Sequence, residues 1–262
     1  MNGFVKTPIG NLYATADKTA TLTDEVLYGW PLEILSQKGD YYYVNTFYNY
    51  KGFIECTDVE LKKNKPTDII TQSFADIQTG ETVQHRTILT LIKGSYISVE
   101  VKGDKYAKIN LINGHGFTRN KFLKKYKPPS FSCSHDYQNK EDLRYQILEN
   151  ACSYMGTQYR WGGKTHYGID CSGLTFMAYF LSGIIIYRDA SIKAGFPVKK
   201  IEKDKLKIAD LIYFKGHIGM YMGDDKFIHS SDNNGGVGID KLSEKLSSNS
   251  SYEFIGFGSI FN

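Results

Sequence analysis

Two small all-β barrels followed by an α+β domain is the fold class that this 262-residue sequence predicts. Three observations carry that reading. Residues 1–127 are short alternating segments broken by Gly, Asp and Asn, whereas the remainder opens with helical periodicity. The strand pattern of the first half occurs twice, with a period of 64 residues from Gly39 to Gly103. Between the halves, Lys124-Lys125-Tyr126-Lys127-Pro128-Pro129-Ser130 reads as a linker, because consecutive prolines exclude both helix and strand.

In the first copy Leu32-Glu33-Ile34-Leu35, Tyr41-Tyr42-Tyr43-Val44 and Gly52-Phe53-Ile54 are strand-like, with a Lys38-Gly39-Asp40 turn between the first two. In the second, Tyr96-Ile97-Ser98-Val99, Lys102-Gly103-Asp104, Tyr106-Ala107-Lys108-Ile109 and Gly114-His115-Gly116-Phe117 repeat that order. A unit this short is expected to seal its edges by closing as a barrel of five or so strands. The boundaries are set at 1–64, 65–127 and 128–262. Pairs of this kind resemble tandem bacterial Src-homology-3-like domains.

In the last segment, Asn139 is a fitting N-cap, with Glu141 and Asp142 in the first turn. Leu143, Ile147, Leu148, Ala151, Tyr154 and Met155 keep helical spacing up to Gly156. A second apolar helix follows Cys171, and strands are expected at Leu211–Phe214, His217–Met222, Lys226–His229 and Glu253–Phe257. Helices first and an antiparallel sheet after define the α+β class.

Composition narrows the function classes. A hydrophobic share of 41% and a charged share of 23% are those of ordinary globular protein. No apolar run approaches the roughly 20 residues of a membrane span. A net charge of +4 is too weak to suggest nucleic acid, although it suits an anionic polymer. Met1–Pro8 lacks the basic-then-apolar pattern of a secretory leader, so the expectation is a cytoplasmic protein, or an exported one whose leader has been removed. Cys56, Cys133, Cys152 and Cys171 have no CxxC spacing, which speaks against a zinc cage or redox pair, and no disulfide is expected among the first three.

The chemistry gathers at Asp170-Cys171-Ser172-Gly173-Leu174 and two later histidines, His217 and His229. A thiol at a helix start feels the positive end of the dipole, which favours thiolate. The histidines flank a Gly223-Asp224-Asp225 turn, so a hairpin sets them directly or diagonally opposite one another. His217 would take the thiol proton, and His229 would fix its tautomer. The alternative uses of these residues are a buried inert cysteine with two structural histidines, or a zinc site of Cys171, His217 and His229. Helix-start cysteine plus hairpin histidine favours acyl transfer.

Tyr159-Arg160-Trp161-Gly162-Gly163, Gly168 to Leu174, Asp210 to Phe214, His217 to Tyr221 and Phe227-Ile228-His229 together resemble the NlpC-type cysteine peptidases, which have a papain-like core and cleave peptidoglycan peptides. The resemblance covers most of residues 139–260. It implies Cys171 as nucleophile, His217 as base, His229 as third member and Tyr159 as an oxyanion donor, with Trp161 read as core. Barrels before this core resemble one branch, the γ-D-glutamyl-L-diamino-acid endopeptidases, or dipeptidyl-peptidase VI. That branch implies stem peptides with a free N-terminal L-Ala, whose ammonium pairs with Asp170 where the barrels wall off the cleft. Asp170 as a plain helix cap is the competing reading.

Ser172 is expected to line the same pocket, and Ser191, in Tyr187-Arg188-Asp189-Ala190-Ser191, to touch substrate. Glu55 is the candidate barrel acid, against simple surface exposure. The expected substrate is a peptidoglycan stem peptide, L-Ala-γ-D-Glu followed by L-Lys or meso-diaminopimelate, cut by a monomer with no metal or organic cofactor. An amidase acting on intact N-substituted wall peptides, and a wall-binding module of little activity, are the competing functions.

Overall fold

The 64-residue period of the sequence is a period of the sheet. In this computed structural model, which describes residues 1–63, 65–132 and 139–261, the first copy comprises β1 (Asn2–Val5), β2 (Ile9–Tyr13), β3 (Leu22–Leu27), β4 (Pro31–Lys38), β5 (Tyr41–Thr46), β6 (Lys51–Glu55) and β7 (Val59–Glu60). The second comprises β8 (Asp68–Ile70), β9 (Phe74–Gln78), β10 (Thr87–Ile92), β11 (Tyr96–Lys102), β12 (Tyr106–Leu111), β13 (Gly114–Arg119) and β14 (Leu123–Lys125). The orders, β3-β2-β6-β5-β4-β1-β7 and β10-β9-β13-β12-β11-β8-β14, match position for position. Even the bulge is repeated, between Ile34 and Ser36 in one long hairpin and between Val99 and Val101 in the other. Each copy has seven strands where five or so were expected, because the brief β7, β8 and β14 carry too little alternation to read.

The two Src-homology-3-like copies share one compact unit, Met1–Lys127. Trp30, with no exposed surface, donates from its indole Nε1 to the Gly94 carbonyl at 2.9 Å. The Tyr96 amide donates to the Tyr28 carbonyl at 2.9 Å. Tyr28 packs into the second copy's core of Ile70, Ala75, Ile77, Leu91, Ile97, Ala107 and Ile109. The boundary set at 64 falls on Asn64, outside the described residues.

The second unit, Pro128–Asn262, has α1 (Lys140–Cys152), β15 (Lys164–Thr165), β16 (Gly168–Ile169), α2 (Cys171–Leu181), β17 (Lys199–Ile201), β18 (Leu211–Phe214), β19 (His217–Gly223), β20 (Lys226–Ser231), β21 (Gly236–Lys241), α3 (Leu242–Lys245) and β22 (Phe254–Ser259). Asn139 caps α1 by accepting from the Glu141 amide at 3.0 Å. The helix ends at Cys152, before Tyr154 and Met155, and the chain turns on through Gly156 at φ 76°.

The larger sheet runs β17-β22-β18-β19-β20-β21, with antiparallel neighbours throughout. Leu174, Phe176, Met177 and Phe180 bury α2 on nearly every side, each contributing roughly 1.5–3 kcal/mol. A buried Arg144–Asp210 ion pair at 2.8 Å ties α1 to the residue before β18. Cys56, Cys152 and Cys171 are free thiols, while Cys133 lies outside the described residues.

Candidate active site

Cys171 opens α2 because Asp170 stops the preceding strand and caps the helix, accepting from the Gly173 amide at 2.5 Å. The helix start presses against the Gly162-Gly163 loop. A Cβ on Gly173 would stand 2.2 Å from the Gly163 carbonyl oxygen, so only glycine fits there. Asp170 also accepts from the Gly162 amide at 2.8 Å and from Ser172 Oγ at 3.2 Å.

Arg188, which is 1% exposed, donates from Nη1 and Nη2 to the two oxygens of that carboxylate at 3.0 and 3.1 Å. It also reaches Ser172 Oγ at 2.8 Å and the Gly162 carbonyl at 3.1 Å. The structure thus builds Asp170 as a helix cap and arginine partner, and an arriving ammonium would have to share those oxygens. Ser172 belongs to the same buried network. Arg188 was quoted in the sequence only as part of a loop motif, since nothing local shows that its guanidinium turns back to the start of α2.

His217 begins β19 and His229 lies in β20, where Met220 pairs with Ile228, so the two histidines stand diagonally across the hairpin. The turn is tight because Asp224 and Asp225 both take positive φ, 49° and 61°, as a two-residue hairpin connection requires. His217 Nε2 and His229 Nδ1 are 2.8 Å apart. On its far side, His229 Nε2 lies 3.1 Å from Asp240 Oδ2, and Lys245 Nζ lies 2.8 Å from that same oxygen. Asp240 was missed in the sequence. It sits two residues beyond Gly238, the register partner of His229, and that register depends on the length of the Asp232–Gly235 turn.

Tyr159 is stitched in from both sides. It bridges Ile169, and its amide donates to the Gly235 carbonyl at 3.0 Å. With His217 it lines a cleft of about 270 Å³ that also takes in Lys215, Ser231, Asp232, Asn233 and Tyr252. Trp161, expected in the core, is 63% exposed. It occupies a turn directly before the two glycines packed on α2, which leaves its ring no interior to enter. Ser191 is exposed, three residues past Arg188. Glu55 ends β6 in the first unit, half-buried, with Thr57 Oγ1 at 3.5 Å from its Oε2.

The helix start was read as favouring thiolate, and against that pull burial pushes the Cys171 thiol up to about 11. The negative charge of Asp170 acts in the same direction, against the Ile218 amide and the Arg188 guanidinium. Burial also takes His217 down to about 3, with the neighbouring His229 adding to the effect, and it lowers His229 against the pull of Asp240. Both shifts favour the uncharged thiol and the uncharged imidazole. Burial and the nearby Cys171 raise Tyr159 to about 12, so its hydroxyl stays protonated and able to donate. The facing nitrogens of the two histidines bond to each other, which is the geometry of a proton relay. Among the described residues, no group of three His, Cys, Asp or Glu side chains is arranged to hold a metal ion.

A helix-start thiol beside an antiparallel sheet that carries paired imidazoles defines a papain-like cysteine hydrolase. Residues 156–255 match the model of the NlpC/P60 family. Over 258 residues the chain is 36% identical to the dipeptidyl-peptidase 6 of Lysinibacillus sphaericus, covering 94% of this chain and 93% of that protein. It is 28% identical over 204 residues to a γ-D-glutamyl-L-lysine dipeptidyl-peptidase of Bacillus subtilis strain 168, covering 71% of this chain and 62% of that one. The crystal structure of an NlpC/P60 family protein from Bacillus cereus ATCC 10987 superposes with a TM-score of 0.79 at 20% identity, over 98% of each chain, which shows the shared fold. The chain belongs to the NlpC/P60 family.

Proposed function

We propose that this protein is a cysteine peptidase that hydrolyses the bond between the γ-carboxyl of D-Glu and an L-diamino acid, L-Lys or meso-diaminopimelate, in peptidoglycan stem peptides with a free N-terminal L-Ala. The relay from His217 through His229 supports the chemistry. The 36% identity to a dipeptidyl-peptidase over nearly the whole chain supports the substrate.

In this reading His217 takes the proton of Cys171 as Sγ attacks the carbonyl carbon, so charge separates only as the new bond forms. Tyr159 Oη and the Cys171 amide donate to the oxyanion, and a fixed donor there is worth about 2.7–4 kcal/mol. The imidazolium then protonates the leaving amine. Water attacks the acyl-enzyme, His217 takes a proton from it, and L-Ala-D-Glu leaves with its γ-carboxylate restored. Asp170 and Ser172 hold the start of α2 and, together with Arg188, shape the pocket for the dipeptide. Ser191 is a candidate contact at its rim.

The test is cleavage of L-Ala-γ-D-Glu-L-Lys and its diaminopimelate counterpart, each free and N-acetylated, followed by mass spectrometry. Release of L-Ala-D-Glu from the free peptides alone is expected. Equal cleavage of the acetylated peptides would overturn the free-amine requirement and favour action on intact, N-substituted wall peptides.

A further inference from the structure

The hydrogen bonds continue past the pair of histidines. His217 Nε2, His229 Nδ1, His229 Nε2 and Asp240 Oδ2 form a line with gaps of 2.8 and 3.1 Å. Lys245 Nζ closes it at 2.8 Å from the same carboxylate oxygen. The Asn234 amide, whose Nδ2 is 3.4 Å from Asp240 Oδ2 and 3.5 Å from His229 Nε2, flanks the junction. Tyr252 covers the outside, with its ring 5.1 Å from that of His217 and 4.9 Å from Lys245 Nζ.

The direction of the protons follows from what each group can do. An ionised carboxylate only accepts, so His229 Nε2 must carry the hydrogen. In a neutral imidazole the other nitrogen is then an acceptor, so His229 Nδ1 receives the Nε2 hydrogen of His217. His217 Nδ1 is left with a lone pair, which a base needs to take a thiol proton. Hydrogen bonds from Lys245 and His229 outweigh burial and hold the Asp240 carboxyl below its usual range, so it stays a pure acceptor.

We propose that Asp240, pinned by Lys245, is a positioning residue that sets the tautomers of both histidines and so makes His217 Nδ1 the base for Cys171. The assignment rests on the peptidase reading for its purpose, but not for its test. Groups facing the relay from neighbouring elements are Cys171 on α2, Tyr159 in the cleft, Lys245 on α3 and Tyr252 beyond it. Asn234 lies beside them, farther from His229 Nε2 at 3.5 Å than Asp240 Oδ2 at 3.1 Å.

The first measurement is of the native protein. Long-range nitrogen–proton spectra of ¹⁵N-histidine-labelled enzyme near pH 7.5 should show His229 protonated on Nε2 and His217 on Nε2, and a proton on His229 Nδ1 would overturn the proposal. The second is the rate of Cys171 alkylation by iodoacetamide against pH, for native, Asp240→Leu and Asp240→Glu enzyme. A leucine leaves His229 Nε2 without its acceptor, so neither tautomer is fixed, and alkylation below pH 8 should slow by roughly 10-fold, short of the roughly 10⁴-fold that a reversed tautomer costs in a serine triad. Asp240→Glu should recover part of the loss. With cleavable peptide, kcat should fall in parallel while KM stays within about twofold. Native-like alkylation in a folded Asp240→Leu protein would sink the proposal. Because alkylation needs no substrate, a wrong peptide assignment leaves this result readable.

Discussion

Arg188 holds both carboxylate oxygens of Asp170 in a buried fork, one residue before Cys171, the proposed nucleophile. A paired charge taken out of water is tolerated only while its partner stays. Arg188→Met strands the Asp170 carboxylate beside Cys171, and the loss should be about 3–5 kcal/mol in denaturant unfolding. Arg188→Lys should rescue little, because an ammonium cannot match the planar fork. A Met variant with native stability would refute this account of the pair.

The pH dependence follows from His217, whose depressed pKa of about 3 comes first from burial. With the neutral imidazole as the proposed base, kcat/KM should hold as pH falls through the ordinary histidine range near 6.5 and decline only well below it. A thiolate–imidazolium resting pair would instead show a histidine that gains its proton near or above neutrality. Titrating the imidazole protons of native enzyme by NMR separates the two.

Stability carries the same sign. His217 and His229 are both lowered in the folded state. Below about 6.5 the unfolded chain therefore binds more protons than the folded one. The contribution of this pair to stability is fully present above that pH and shrinks as pH falls toward the folded values. His217→Gln should flatten the melting temperature between pH 6.5 and 4.5 relative to native protein. An unchanged slope would show that other groups govern acid unfolding.

Tyr159→Phe removes one hydroxyl and keeps the ring that lines the cleft. If that hydroxyl donates to the oxyanion, kcat should fall roughly 10²–10³-fold with KM little changed. A rise in KM alone would make Tyr159 a binding residue instead.

The parts of this molecule that the sequence carried were those written in local pattern. Gly39 and Gly103 announced the repeat, and the structure returned it as two identical strand orders. Asn139 and Asp170 were legible as caps because capping is a matter of the next three residues. The diagonal of His217 and His229 followed from a turn whose length was visible. What escaped depends on register or on long side chains. Asp240 reaches His229 only after a second hairpin sets its offset, and Arg188 reaches Asp170 across an intervening helix. The burial of Cys171 was not legible either: a helix start is favourable to charge, but at 7% exposure lost hydration pushes the thiol the other way. Trp161, read as core rather than ligand contact, stands 63% exposed in the turn before Gly162 and Gly163.

The most direct test of the central claim is incubation of L-Ala-γ-D-Glu-L-Lys with native enzyme and with Cys171→Ala at matched concentration, followed by mass spectrometry of the products. The account predicts release of L-Ala-D-Glu and free lysine by the native enzyme, and none above the uncatalysed background by a variant that melts normally. Undiminished cleavage by Cys171→Ala would contradict it and remove the thiol from the chemistry.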